Sequence, residues 1–209
     1  MEEILSVEEA TQTVYSRLEK FTGWKFLQSQ RCLKKKVKDL ELEIAFNTCK
    51  WNKSYEYVGL NAYFVLIYKK LGKLPVQNQV AYFEYYPSKG DDTYWYDIST
   101  NSMLETVLVE LEEKIRKTAL YVESALERDF ESAVKDLYEN HFEEYNLRLE
   151  FVAGFIGIEF ITTKAHEIYE GLSEEMKQQV EDYKSGKRTK TWMLNPNNLK
   201  YIIDNNLYN

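Results

Sequence analysis

Hydrophobic and polar positions change period twice along this chain, and those changes predict the order of its elements. Ser6 and Glu9 stand at capping-box spacing, in which each side chain satisfies an orphan amide of a first helical turn. Behind them Val7, Ala10, Val14, Leu18 and Phe21 recur at helical intervals as far as Thr22-Gly23. The period then falls to two. Residues 24–28 and 31–37 read as short strands, followed by Leu40, Leu42, Ile44 and Phe46 alternating with Glu41 and Glu43, the mark of a half-buried antiparallel strand. Val58, Leu60, Ala62, Phe64 and Leu66 repeat the alternation. Gly72 and Pro75 interrupt it, a further strand is predicted over 76–86, and the turn residues at 87–92 followed by 93–98 predict a hairpin.

Beyond Ile98 the period returns to 3.6. Leu104, Val107, Leu108, Leu111, Ile115 and Val122 predict one long helix capped by Asn101 or Ser102. Further helices are expected over 130–145, from Leu147 through Phe155, over 163–172, over 173–184, and from Pro196 through Ile203. Residues 158–163 read either as a short strand or as a break. Gly154 and Gly157 weigh against an uninterrupted helix there, since each costs about 1 kcal/mol relative to Ala. Strands first and helices afterwards define an α+β fold rather than βαβ alternation. The expected architecture is an N-terminal helix, an antiparallel β-meander of about five or six strands, and then a C-terminal all-helical half. A meander with one helix leaves a sheet face poorly covered, which favours a single α+β domain over 1–209, with helix and meander in 1–100 and the helical part in 101–209. A boundary near residue 100 is the alternative.

Composition narrows the function classes. An apolar fraction of 44% with 29% charged residues is that of a globular chain. The net charge of −7 argues against nucleic-acid binding. It is also unevenly placed: residues 1–100 hold 14 basic against 13 acidic side chains, and residues 101–209 hold 13 against 21. An acidic face in the second half suits a basic partner. The apolar run over 149–161 is interrupted by Glu150 and Glu159 and is too short to cross a bilayer, so no membrane association is expected. The opening MEEILSVEEA lacks the basic and apolar regions of a signal peptide, and a cytoplasmic location is the expectation. Cys32 and Cys49 read as reduced, partly buried thiols rather than a disulfide framework. The 17 tyrosines are consistent with an AT-rich genome as much as with function.

No motif assigns catalytic, metal or cofactor residues. His141 and His166 fall in no zinc-binding pattern, and Glu143, Glu144 and Glu167 beside them are ordinary for acidic helix surfaces. No phosphate-binding glycine loop occurs. Glu41/Glu43 and Asp91/Asp92 lack the lysine spacing of a metal-dependent nuclease. Arg31, Lys34, Lys35, Lys36 and Lys38 form the densest basic run, read as an edge strand guarded by lysines, with binding of phosphate or an acidic partner as the alternative. Tyr82, Phe83, Tyr85, Tyr86, Tyr94, Trp95 and Tyr96 crowd the expected hairpin. Alternation sends them to both faces, so one set either packs under helices or forms an interface. Trp51-Asn52 in the loop before it is open to the same two readings. Trp51, Tyr85, Tyr86, Tyr94 and Trp95 are therefore the candidate partner-binding residues.

The stretch WKFLQSQRCLKKKVKDLELEIAFNTCKWN, following an amphipathic helix, resembles uncharacterised bacterial domain-of-unknown-function proteins whose alternating strand ends in a Trp-Asn loop. The resemblance covers roughly residues 5–70. It implies a helix followed by a β-meander and carries over no catalytic residue; small acidic proteins of this kind include immunity and accessory factors. The resulting expectation is a non-enzymatic protein-binding or regulatory protein, immunity-like, whose partner is another protein, with homo-oligomerisation open. A small-molecule or carbohydrate-binding domain, or an enzyme with a site dispersed in sequence, is the alternative.

Overall fold

Ser6 does cap the first helix. In the computed structural model, which describes residues 3–72, 78–88, 94–187 and 196–208, its hydroxyl accepts the Glu9 amide at 3.2 Å. The Glu9 carboxylate in turn accepts the Ser6 amide at 3.0 Å. Helix α1 (Val7–Thr22) buries Ala10, Val14, Tyr15 and Leu18 on one side and ends on Gly23, whose left-handed φ of 70° only glycine adopts without strain.

Six strands follow: β1 (Lys25–Leu27), β2 (Cys32–Val37), β3 (Leu40–Thr48), β4 (Gly59–Tyr68), β5 (Gln79–Tyr85) and β6 (Tyr96–Asp97). The order β1-β2-β3-β4-β5 is an antiparallel meander, the α+β architecture expected. The start of the strand expected over 76–86, residues 89–92 of the expected turn and residue 93 of the strand expected after it lie outside the described residues. Register runs straight across the sheet. Leu33 faces Ile44, Ile44 faces Phe64 and Phe64 faces Phe83, all on one side, while Lys34, Glu43, Val65 and Tyr82 line up on the other. Leu40, Leu42, Ile44, Leu60, Phe64 and Leu66 of the first side are fully buried.

Helices cover that side. After β6 the chain enters α2 (Asn101–Lys117) and α3 (Ala119–Arg128), where one continuous helix was expected. The break is at Thr118 (φ −117°, ψ −85°), whose hydroxyl donates to the Lys114 carbonyl at 2.8 Å. That hydroxyl also lies 2.7 Å from the hydroxyl of Tyr85, buried in the sheet beneath. Tyr15 of α1 stacks on Phe26 at 4.5 Å and meets Phe46 at 5.0 Å. From α3, Glu123 accepts the Trp24 indole N–H at 2.7 Å and pairs with Lys35 at 3.0 Å.

The basic run is not an edge strand. β2 lies between β1 and β3, and the short β1 forms the edge. Its lysines are committed across the sheet and to the helices: Lys34 bonds Glu43 at 2.5 Å and Glu41 at 3.2 Å, Lys35 reaches Glu123, and Lys38 lies 5.0 Å over the Phe130 ring.

The chain divides into two compact units, residues 1–130 and 131–209, so the division falls some thirty residues after the change from strands to helices, and α2 and α3 belong with the sheet. The second unit holds α4 (Phe130–His141, beginning one residue before the division), α5 (Leu149–Ile156), a 3₁₀ turn (Ile158–Ile161), α6 (Thr162–Glu170), α7 (Glu174–Lys184) and α8 (Pro196–Asp204). Gly157 at φ 100° ends α5, so residues 158–161 form a break rather than a strand. Inside this unit the buried Asn198 side chain accepts the Leu149 amide at 2.8 Å and donates to the Leu147 carbonyl at 2.9 Å, fixing α8 to the start of α5. Val180, Leu199 and Ile203 form a buried apolar cluster in the same unit, with Tyr169, Leu172 and Tyr183 against it. Among the described residues no helix is long and apolar enough to cross a membrane.

Two outcomes test this account of the first unit. Leu42→Ala, which empties a fully buried site, is expected to lower unfolding free energy by about 2–5 kcal/mol in a denaturant titration. Burial, with the Glu43 carboxylate adding to it, pushes the Cys32 thiol up to about 11. A raised folded-state pKa keeps the thiol neutral, so its contribution to stability is complete below the unfolded pKa of about 8.5 and is lost as pH rises towards about 11. At about pH 9, alkylation of Cys32, followed by peptide mass, should therefore be at least ~50-fold slower in native protein than in urea. Equal rates would contradict the burial.

Candidate functional site

The two short aromatic segments do not form a hairpin. β5 and β6 are both antiparallel to β4 and run the same way along one of its edges. Tyr85 pairs with Ala62, and Tyr96 pairs with Leu60. The chain thus leaves this edge of β4 after Tyr85 and returns to it at Tyr96, an excursion of which residues 86–88 and 94–95 are described. The β4 position between the two pairings is Asn61, which is buried, and its side-chain amide donates to the Tyr94 carbonyl at 3.1 Å. It ties the returning segment to β4 through a side chain, since the backbone of Asn61 faces β3, where it pairs with Asn47.

α2 holds the excursion from the other side. The Glu110 carboxylate accepts the Ser88 amide at 2.7 Å, and Lys114, one turn on, pairs with Glu110 at 2.7 Å and donates to the Tyr86 carbonyl. Burial works against the Glu110 carboxylate, but the Lys114 ammonium and the Ser88 amide outweigh it, leaving Glu110 below the usual carboxylate range. Beneath them Tyr96 is pushed well above the usual phenol range by burial and by Glu110.

Between this clamp and the N-terminal half of α2 lies a groove of about 580 Å³. Trp95, Tyr96, Met103, Val107 and Val109 give it an apolar lining, and Asp97, Glu110 and Glu113 are its charged lining residues. Met103 and Val109 are 45% and 60% exposed, unusual for apolar side chains on a helix that otherwise turns its apolar stripe inward. No Lys or Arg is among the described lining residues.

The sequence candidates separate. Trp95 lines the groove. Tyr86 and Tyr94 stand at the neck of the excursion, half-exposed, with ring centres 5.4 Å apart. Tyr85 is fully buried on the helix-covered side of the sheet, where its hydroxyl meets Thr118, and it serves packing rather than a surface. Trp51 is 73% exposed in the loop between β3 and β4, with Lys50 at 4.8 Å over its ring, and does not line the groove. Its neighbour Asn52 is structural: the side chain accepts the Gly59 amide at 2.7 Å and donates to the Gly59 carbonyl at 2.9 Å. Gly59 itself has no room for a side chain, since a Cβ there would meet the Tyr57 hydroxyl at 2.7 Å.

The sequence reading passed over Met103, Val109 and Glu84. The first two carried a signal, apolar residues off the buried stripe of α2. Glu84 carried another, alternation with Tyr82 and Tyr86. In the second unit His141 bonds Glu144 at 2.7 Å, and His166 lines a recess with Thr163, Glu167 and Asn206. Among the described residues no group of three or more His, Cys, Asp and Glu side chains is placed to hold a metal ion. Comparisons of the chain with protein-family models, curated proteins and solved structures return no match.

Removing the Asn61 tie tests the excursion. Asn61→Ala should cost about 1–2 kcal/mol by stranding the Tyr94 carbonyl, and should speed amide exchange at Tyr96 and Ile98 relative to β3. Unchanged relative exchange would mean that β6 is anchored without it.

Proposed function

We propose that this chain is a non-enzymatic protein-binding protein of regulatory or immunity type, acting in the cytoplasm, and that it covers its partner through the groove between α2 and residues 87–88 and 95–97. The observation that carries the reading is the exposed apolar surface of Trp95, Met103 and Val109, bordered by Asp97, Glu110 and Glu113 without a lining cation among the described residues. An apolar centre with a polar rim is the anatomy of a protein interface, and tryptophan and methionine are over-represented at such centres. The negative rim suits a basic partner segment, and its charge acts chiefly on the rate of encounter. The groove volume also falls within the range of small-ligand sites, which favours a small-molecule-binding domain as the second reading.

A photo-crosslinking residue at Val109 distinguishes the two. The expected result is one discrete protein adduct in cells, whose purified partner rebinds at one-to-one stoichiometry. Its association rate should fall as salt rises, and Val109→Glu should weaken binding at least ~10-fold. If Val109 yields no protein adduct while Trp95 fluorescence responds to a small metabolite, the protein-binding reading fails and the second one stands.

A further inference from the structure

On the sheet face opposite the helices, alternation along β5 points Tyr82 and Glu84 the same way, and Tyr86 follows one residue after the strand ends. The returning end of the excursion adds Tyr94. The Tyr82 and Tyr94 hydroxyls donate to one Glu84 oxygen and the Tyr86 hydroxyl donates to the other. The hydrogen bond to Glu84 pushes the Tyr94 phenol above its ordinary value; for Tyr82, burial does so first and Glu84 adds to it, so these protons stay on the phenols. The rings stand steeply to one another: Tyr86 to Tyr94 at 76°, and Tyr94 to Trp95 at 65° with centres 6.1 Å apart. Tyr86 is 49% exposed and Tyr94 44%.

Among the described residues the Glu84 carboxylate has no ion-pair partner. Elsewhere in the unit, cations lie over the rings of Phe21, Trp51, Tyr68 and Tyr96. The acids of β3 and α2 pair with lysines. Among the described residues no cation lies over Tyr82, Tyr86, Tyr94 or Trp95, and none pairs with Glu84. A carboxylate offers about four lone-pair positions, and three phenols already occupy this one. It therefore presents negative charge more than hydrogen-bond acceptance, and its charge is partly passed to rings whose faces attract cations. A primary ammonium, which seeks acceptors for three N–H groups, is poorly served. A cation without N–H groups fits.

We propose that Glu84, Tyr86, Tyr94 and Trp95 bind a quaternary ammonium group, with Tyr82 holding the carboxylate. The site does not rest on the protein-binding reading: Trp95 is common to it and the groove, but Glu84, Tyr86 and Tyr94 are not among the residues that line the groove. The test titrates the whole chain with choline, with the neutral tert-butyl analogue of choline, and with an acetylated, amidated trimethyl-lysine, following the Trp95 and tyrosine ring resonances. Choline or trimethyl-lysine should bind in the millimolar range or tighter, and the neutral analogue at least about fivefold more weakly. Tighter trimethyl-lysine would place the group on a protein, and tighter choline on a small molecule. Glu84→Gln and Tyr94→Ala should each weaken binding about three- to tenfold. Should a variant fail to fold, the comparison of choline with its neutral analogue still decides on the wild type. Equal binding of the two, or no binding of either cation, would overturn the proposal.

Discussion

Every backbone amide and carbonyl of β4 needs a partner, and the first unit is organised around meeting that demand. One edge is straightforward, because β3 pairs with it from Leu40 against Tyr68 to Thr48 against Leu60. The other edge is shared. β5 satisfies Ala62 through Ile67, and β6 satisfies Gly59 and Leu60. Asn61, between those pairings, turns its own backbone towards β3, so the interruption strands no backbone group of β4 at that position. Its side-chain amide takes the Tyr94 carbonyl instead, and the chain can leave the sheet after Tyr85 and re-enter at Tyr96 with that carbonyl satisfied. The groove and the tyrosine-bound carboxylate are both products of that departure, one on each side of it.

The covered face imposes a second requirement. Tyr85 is fully buried, and a phenol hydroxyl without a partner there would cost about 1–3 kcal/mol. Thr118 provides the partner at the junction of α2 and α3, where helical geometry is lost. The break directs α3 across β2 and β3, and Glu123 then receives both Trp24 and Lys35. A charged lysine on the helix-covered side of the sheet is tolerable because it is paired and hydrogen-bonded. Helix placement thus follows from polar groups that the apolar alternation carries inward.

Much of this first unit was legible in the sequence. The inner sets Leu40-Leu42-Ile44-Phe46 and Leu60-Ala62-Phe64-Leu66 follow from period-two alternation, since a half-buried strand can bury only alternate residues. The Ser6/Glu9 cap and the stop at Gly23 were legible because caps are local chemistry. What was not legible depended on contacts distant in sequence. Strand, turn residues and strand describe a hairpin and an excursion equally well; only the competition of two segments for one edge of β4 separates them. No glycine or proline marks the break at Thr118, because its cause is Tyr85, 33 residues away. Lys34 and Lys36 read as edge protection because sequence shows charge and alternation but not which neighbours, β1 included, pair with the strand. The candidate site was half legible: Trp95, Tyr86 and Tyr94 lie at the excursion, while Trp51 lies apart and Tyr85 lies within the core.

The two surfaces made by the excursion attract positive charge by different physics. In the groove, Glu110 is already paired with Lys114 and bound to the Ser88 amide, so an incoming cation meets acids whose hydrogen-bond capacity is largely used. Its apolar side chains must supply most of the binding, and charge contributes through long-range attraction that salt screens. At Glu84 the negative charge is held by neutral phenols, and no described cation opposes it at close range. Attraction there is short-ranged and passes through ring faces. A partner that brought an apolar basic segment to the groove and a methylated ammonium to the tyrosines would engage both sides of one excursion anchored by Asn61. Two modest contacts on neighbouring segments would then reinforce each other through effective concentration rather than through any new contact.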